Sequence, residues 1–207
     1  CSVRDITDQL HEEQGAQQEQ DDLAATITAL RAGDRSTHDP LTGLVNPCYL
    51  EESLPRELHR AQRSRLPLTV ALLDVDRFSR INEAFGRDAG DAVLLELSRV
   101  LREHLRKSDM ACRFADDEFV LVLPQSAPAA TVERVEQIRR AVRDRALRHG
   151  DRQLNRVTIS AGIALAGEHT PSTRELLGAA RAALATAKRE GGDRVAVHSV
   201  TAPLHHA

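Results

Sequence analysis

A chain of 207 residues with 41% hydrophobic and 29% charged content sits near globular averages, which excludes wholesale disorder and fibrous repeats and leaves room for one domain plus an appendage. A net charge of -3 with only 2% aromatic residues supplies neither the basic footprint nor the stacking platforms of a nucleic-acid binder. Cys1, Cys48 and Cys112 are an odd, widely spaced set that fits a reducing cytoplasm better than a disulfide framework or a zinc site, and no apolar run approaches the roughly 18 residues of a membrane span.

From His11 to Asp22 the chain is rich in charged and amide helix formers, and Leu23, Ile27 and Leu30 follow at i, i+4, i+7 spacing. The segment 9–38 is read as a helical linker whose single apolar stripe suits pairing with a second copy or a solvated lone helix. Pro and Gly then punctuate a turn at Asp39-Pro40-Leu41-Thr42-Gly43-Leu44, where a second segment begins. Asn46 and Pro47 form an N-cap and N1 pair opening a helix to about Ser64. The apolar run Leu66 to Val75 reads as a buried strand with Asp74 and Asp76 at its exit.

A short helix around Phe78 to Phe85 follows, then a longer one from Asp91 to Arg106 with Val93, Leu94, Leu97, Val100, Leu101 and Leu105 in one stripe. Met110 to Phe114 and Phe119 to Leu123 flank a turn and read as a β-hairpin. Beyond Pro124 the pattern predicts a helix (Ala130 to Leu147), a strand (Arg156 to Ala164), a helix (Thr173 to Glu190) and a strand (Val195 to His198). This order implies an α+β fold, a mixed sheet covered by helices.

Asp74 and Asp76 lie two apart and so share one face of a strand. Asp117 and Glu118 follow the hairpin turn. If the hairpin lies beside the first strand, several carboxylates converge with no cation in either motif. That donor set suits magnesium, which keeps waters and adds substrate phosphate oxygens; it equally suits polar strand ends in water.

DPLTGL at Asp39 to Leu44, DVDRF at Asp74 to Phe78, Ile81-Asn82, Phe85-Gly86, Gly90-Asp91, Arg113-Phe114 ahead of ADDEF at Ala115 to Phe119, VTISAG at Val157 to Gly162, and Ala187-Lys188 stand in the order and at the intervals of a known family. From 39 to 198 the chain resembles a GGDEF (diguanylate cyclase) domain, with 199–207 as a tail. Ser2 to Asp8 resembles the closing strand of a PAS sensor domain, which ends by residue 8.

The resemblance implies a nucleotidyl-cyclase, palm-like fold with a mostly antiparallel five-stranded sheet. It implies that two GTP molecules, each held by one of two facing domains, condense to cyclic di-GMP and release pyrophosphate, so that the chain works as a homodimer. It places Asp74, the Val75 carbonyl and Asp117 as ligands of Mg2+ or Mn2+, with Glu118 as metal ligand or proton acceptor. Asn82 and Asp91 fall on guanine, where a carboxylate accepts from the N1 and N2 hydrogens and an amide serves the opposite polarity. Phe78, Ala115 and Asp116 fall against the substrate, and Lys188 at the terminal phosphates, a position that also suits a helix C-terminal cation. Arg106 and Asp109 match an RxxD product-binding site. A second arginine of that site falls at Gln137, with Arg134 and Arg139 nearby.

The chain departs from the family where Ala115 and Asp116 replace two glycines, Ser79 replaces the usual Lys, and Gly192 stands where Arg is frequent. A tight hairpin turn often needs φ > 0, which alanine adopts poorly, so the turn is expected to be reshaped at a cost of about 1 kcal/mol. A carboxylate at 116 occupies the space of close nucleotide approach, and at about 5 Å from a phosphate it is repelled by roughly 3 kcal/mol per unit charge. The expectation is a weak or inactive cyclase that retains GTP or cyclic di-GMP binding. An active cyclase is the alternative and a vestigial scaffold the third reading.

Overall fold

The computed structural model describes residues 37–149, 152–154, 156–166 and 172–198. The PAS-like end at 1–8, the linker helix apart from its last two residues, and the tail 199–207 lie outside them. The first turn is built by Asp39, whose carboxylate accepts from the Thr42 amide at 2.7 Å and the Thr42 hydroxyl at 2.6 Å. Asn46 then caps helix α1 (Pro47–Ser64), its side chain accepting from the Tyr49 amide at 3.0 Å.

The remaining elements are β1 (Leu68–Val75), α2 (Phe78–Phe85), α3 (Arg87–His104), β2 (Met110–Arg113), β3 (Glu118–Pro124), α4 (Pro128–Asp144), β4 (Arg148–His149), β5 (Arg152–Gln153), β6 (Ile159–Ala166), α5 (Thr173–Arg189) and β7 (Val195–His198). Five strands form one sheet in the order β2-β3-β1-β6-β7. Only the β6–β7 pair within it is parallel, so the expected mixed, mostly antiparallel α+β architecture holds.

All eight residues of β1 are buried, because helices cover both faces of the sheet. Ala71, Leu73 and Val75 pack with Phe119, Leu121, Ile159 and Ile163 beneath α3 and α4. Leu68, Val70 and Leu72 pack with Val120, Val122 and Ala164 beneath α1 and α5. A two-sided core removes the polar alternation of a half-exposed strand, which is why β1 reads as an unbroken apolar run.

Several boundaries differ from the sequence reading. Helix α3 starts at Arg87 instead of Asp91, because Gly86 at φ 89 breaks the chain direction and the helix restarts immediately. Strand β1 starts at Leu68, after Pro67, which has no amide to give the ladder. Helix α4 stops at Asp144, and a two-residue hairpin, β4–β5, occupies part of the stretch before β6. That hairpin has no sequence signal, being too short for any alternation.

Helix α5 lies so close to β6 that a Cβ built on Gly162 would stand 2.1 Å from the Leu184 amide nitrogen and 2.2 Å from the Ala180 carbonyl oxygen. Both are backbone atoms in a buried layer and cannot swing aside. Gly162→Ala is expected to cost about 2–4 kcal/mol and to lower Tm by about 5–15 °C in thermal denaturation. A Tm within about 2 °C of the parent would contradict this account of the helix–sheet contact.

Candidate functional site

The exit of β1 is the chemical focus. Asp74 sits in register with Glu118 of β3 on one side and Ser160 of β6 on the other, and is only 5% exposed. Helix α5 runs over this end and delivers two cations from positions seven residues apart, which lie on one stripe of a helix. Lys188 Nζ is 2.5 Å from Asp74 Oδ2, and Arg181 Nη2 donates to Glu118 Oε2 at 3.0 Å. Burial pushes the Asp74 carboxyl up to about 6; the Lys188 hydrogen bond and charge oppose that rise, while the charges of Asp117 and Glu118 add to it.

The expected convergence of acids is therefore realised in part. Asp74 and Glu118 are register partners and Asp117 is near enough for its charge to be felt at Asp74. Yet among the described residues no three His, Cys, Asp or Glu side chains gather at metal-holding spacing, because the two nearest carboxylates each turn to a cation of α5. The donor chemistry still fits a hard divalent ion: the carboxylates repel one another at the strand end, and Asp74 and Glu118 are held by side chains that can swing away.

Asp76 shares the face of Asp74, as its spacing requires, but both its oxygens are occupied. They accept from Thr158 Oγ1 at 2.7 Å, Ser160 Oγ at 2.6 Å and the Asp193 amide at 2.9 Å. Asp76 thus ties the end of β1 to β6 and to the approach to β7. Gly192, at φ 73, brings its backbone against this clamp, and a Cβ there would lie 3.0 Å from Asp76 Oδ1.

The hairpin is reshaped without positive φ at its altered positions. Ala115 and Asp116 are both exposed, and neither is among the residues with positive φ. The loop widens instead, with the Phe114 and Ala115 amides both donating to the Glu118 carbonyl at 2.8 and 3.2 Å. Arg113 holds it from below, donating to the Asp116 carbonyl at 2.9 Å through Nη2 and to Asp39 Oδ2 at 3.3 Å through Nη1.

Asn82 on α2 faces Gly90 on α3. A Cβ on Gly90 would fall 1.9 Å from Asn82 Oδ1 and 3.0 Å from the Phe78 ring, so a side chain there would displace the Asn82 amide. Asn82 Oδ1 is buried and accepts no hydrogen bond from any described residue. Asp91, one residue beyond Gly90, is exposed. The Asn82 amide and the Phe78 ring thus meet at Gly90.

The RxxD residues lie in the loop between α3 and β2. Asp109 Oδ2 accepts from the Arg106 amide at 2.9 Å and from Arg134 Nη1 at 2.6 Å, and the Asp109 side chain is 1% exposed. Arg134 is thus the arginine of α4 that meets Asp109. Gln137 is exposed, and Arg139 turns away to pair with Asp193 and Glu136. Arg181 was missed by sequence reasoning, although its seven-residue offset from Lys188 places both on one helical stripe.

The chain matches the family described as diguanylate cyclase, GGDEF domain, over residues 36–194. It is 40% identical over 159 residues to the diguanylate cyclase DgcP of Pseudomonas aeruginosa, a match covering 77% of this chain and 23% of that protein. It is 34% identical over 157 residues to the diguanylate cyclase DosC of Escherichia coli, covering 76% of this chain and 34% of that protein. The match thus spans about a third or less of the length of these relatives. Among solved structures, the GGDEF domain of DgcB from Caulobacter crescentus in complex with c-di-GMP superposes with a TM-score of 0.76 at 28% identity, covering 79% of this chain and 96% of that one. Diguanylate cyclase SiaD of Pseudomonas aeruginosa, in complex with its activator SiaC, superposes with a TM-score of 0.74 at 33% identity, covering 94% of this chain and 75% of that one.

The Asp74–Lys188 contact has a measurable signature. Asp74 titrates at about 6 in the fold against an ordinary 3.8, so the native state holds the extra proton between these values. Its contribution to stability therefore falls as pH rises from about 4 through 6. Lys188→Ala removes the hydrogen bond and the charge that oppose this shift, so the Asp74 pKa is expected to climb above 6 in a carboxyl-carbon NMR titration. A value that stayed put or fell would contradict the pairing.

Proposed function

The chain belongs to the diguanylate cyclase GGDEF-domain family, and on that premise we propose that it is a cyclic di-GMP signalling domain that binds GTP with a divalent metal and condenses it slowly. The observation that carries the reading is the buried, unpartnered Asn82 Oδ1 beside Gly90 and Asp91. A buried acceptor without a donor costs about 1–3 kcal/mol, a debt that a ligand N–H removes. Guanine offers adjacent N1 and N2 hydrogens, whereas adenine presents an acceptor at N1; the Asp91 carboxylate discriminates between them by accepting alone.

In the reaction each of two facing domains holds one GTP, and each 3′-hydroxyl attacks the α-phosphate of the other with release of pyrophosphate. Asn82 and Asp91 fix the base, and Phe78 walls the notch. Asp74, the Val75 carbonyl, Asp117 and Glu118 would hold Mg2+ or Mn2+, which when bound polarises the phosphoryl oxygens and lowers the pKa of the attacking hydroxyl. Lys188 leaves Asp74 for the terminal phosphates, and Glu118, released by Arg181, is placed to accept the hydroxyl proton. The carboxylate of Asp116, on the loop that meets nucleotide, opposes phosphate approach and slows turnover. The homodimer is the assembly in which two such sites face one another. Arg106, with Asp109 anchored by Arg134, is the place for cyclic di-GMP to bind and regulate.

The unstrained hairpin and exposed Asp116 favour the alternative of an active cyclase, and one set of measurements separates the two. By calorimetry with magnesium, GTP is expected to bind at least about tenfold more tightly than ATP, and Asn82→Ala to abolish that preference. Cyclic di-GMP formation is expected to be slow and absent in Asp117→Ala. Equal affinity for GTP and ATP would remove the guanine reading. Product no higher than in Asp117→Ala would remove the cyclase and leave a nucleotide-binding module, whereas rapid turnover would establish the active enzyme.

A further inference from the structure

Lys188 lies in the last turn of α5, the part of a helix whose carbonyls lack partners within it and which frays first. Two amides beyond the helix hold that turn wound: Gly192 donates to the Ala187 carbonyl at 3.1 Å and Gly191 to the Lys188 carbonyl at 3.2 Å. These glycines stand at φ 73 and φ 113, and two glycines in succession form the least restrained backbone a chain can have. The segment that closes α5 therefore has to be fixed from outside itself.

Asp193 does the fixing. At φ 48 it sends its amide one way, to Asp76 Oδ2 at 2.9 Å, and turns its carboxylate another, to accept from Nη1 of Arg139 on α4. The side chain of Arg194 stays local, donating to Glu190 and to the Gly192 carbonyl. Arg139 is itself aimed. Glu136 accepts from its Nε at 3.0 Å and its Nη2 at 2.9 Å, a side-on fork that sets the plane of the guanidinium and leaves Nη1 for Asp193. Val135, Ile138 and Val142 are buried and set the roll of α4, and Arg139 borders that stripe at 8% exposure. A guanidinium so enclosed gives up conformers that a solvated surface pair keeps, so the contact with Asp193 is rigid.

We propose that Arg139 is a positioning residue for Lys188: by pinning Asp193 to α4 it keeps the Gly191-Gly192 turn closed, the last turn of α5 wound, and the ammonium over the exit of β1. Without that pin the turn is tied to the rest of the fold through the Asp193 amide and the Arg194 carbonyl alone, and its glycines let it open. The long stem of Lys188 then starts from a frayed turn, and fewer of its conformers reach a phosphate. The proposal rests on the nucleotide reading above for what Lys188 meets, but the state of the turn is measured without nucleotide.

The experiment has two arms on the full chain. In the first, amide hydrogen exchange without nucleotide compares the parent with Arg139→Ala and with Asp193→Asn, which keeps the shape and the tolerance of φ > 0 and is expected to fold even if Arg139→Ala does not. The Gly191 and Gly192 amides are expected to exchange about 5- to 20-fold faster in Arg139→Ala, and about 2- to 5-fold faster in Asp193→Asn, relative to the Leu184 amide in the body of α5. In the second, calorimetry with magnesium measures GTP and GMP binding to the parent, Arg139→Ala, Lys188→Ala and the double variant. Arg139→Ala is expected to weaken GTP by about 5- to 20-fold and to leave GMP, which lacks the terminal phosphates, within about twofold. The double variant is expected to bind GTP no more weakly than Lys188→Ala, because the arginine acts through the lysine. Loss of GTP and GMP alike, or losses that add in the double variant, would show a merely structural role and overturn the proposal, as would unchanged Gly191 and Gly192 exchange in both variants. Faster exchange in a chain whose parent has no GTP affinity would sink the nucleotide reading and leave the pinned turn standing; GTP binding with unchanged exchange would do the reverse.

Discussion

The contact between Asp74 and Lys188 is the constraint on which the active end of this molecule turns. A carboxylate at the exit of a strand buried along its whole length loses most of its hydration, and an isolated buried charge is too costly to keep. The fold answers by bringing the last turns of α5 over the end of β1, where Lys188 meets Asp74 and Arg181 meets Glu118. That placement requires the close approach of α5 to the sheet, which Gly162 permits. The Asp76 clamp then fixes the loop after α5, so the cations are held where the acids need them.

The altered signature acts through charge more than through backbone geometry. Losing two glycines was expected to reshape a tight turn at a cost, and the loop opens while Arg113 secures it through the Asp116 carbonyl and Asp39. With the conformational cost avoided, what remains is the Asp116 carboxylate itself, exposed on the loop. Arg77 and Arg80 of the α2 region line a cavity together with Arg156 and Lys188.

Much of this architecture was legible in the sequence because burial writes itself as pattern. The two-sided core made β1 an apolar run, the Asn46-Pro47 cap fixed the start of α1, and β7 fell where the last apolar alternation placed it. Asp74, Asp117, Glu118, Asn82 and Asp91 were singled out by spaced motifs; the structure sets the first three at the end of β1 and puts Asn82 within α2 and Asp91 on α3. What the sequence hid was who faces whom. Parity put Asp76 on the face of Asp74 but could not show that two hydroxyls of the β6 strand and its approach would consume it. Arg181 is 63 residues from Glu118, and no local pattern links them. The β4–β5 hairpin is shorter than any period that could reveal it.

Helix α5 supplies tethered counter-ions to Asp74 and Glu118, which, on the proposed function, a divalent metal must displace. The most direct test of that displacement is the affinity of Mn2+ for the full chain at neutral pH, followed by electron paramagnetic resonance, in the parent and in Arg181→Ala. Freeing Glu118 from its guanidinium is expected to tighten Mn2+ binding by about 3- to 10-fold. An affinity that is unchanged or weaker in Arg181→Ala would show that Arg181 does not compete for the acid cluster, and would contradict the account.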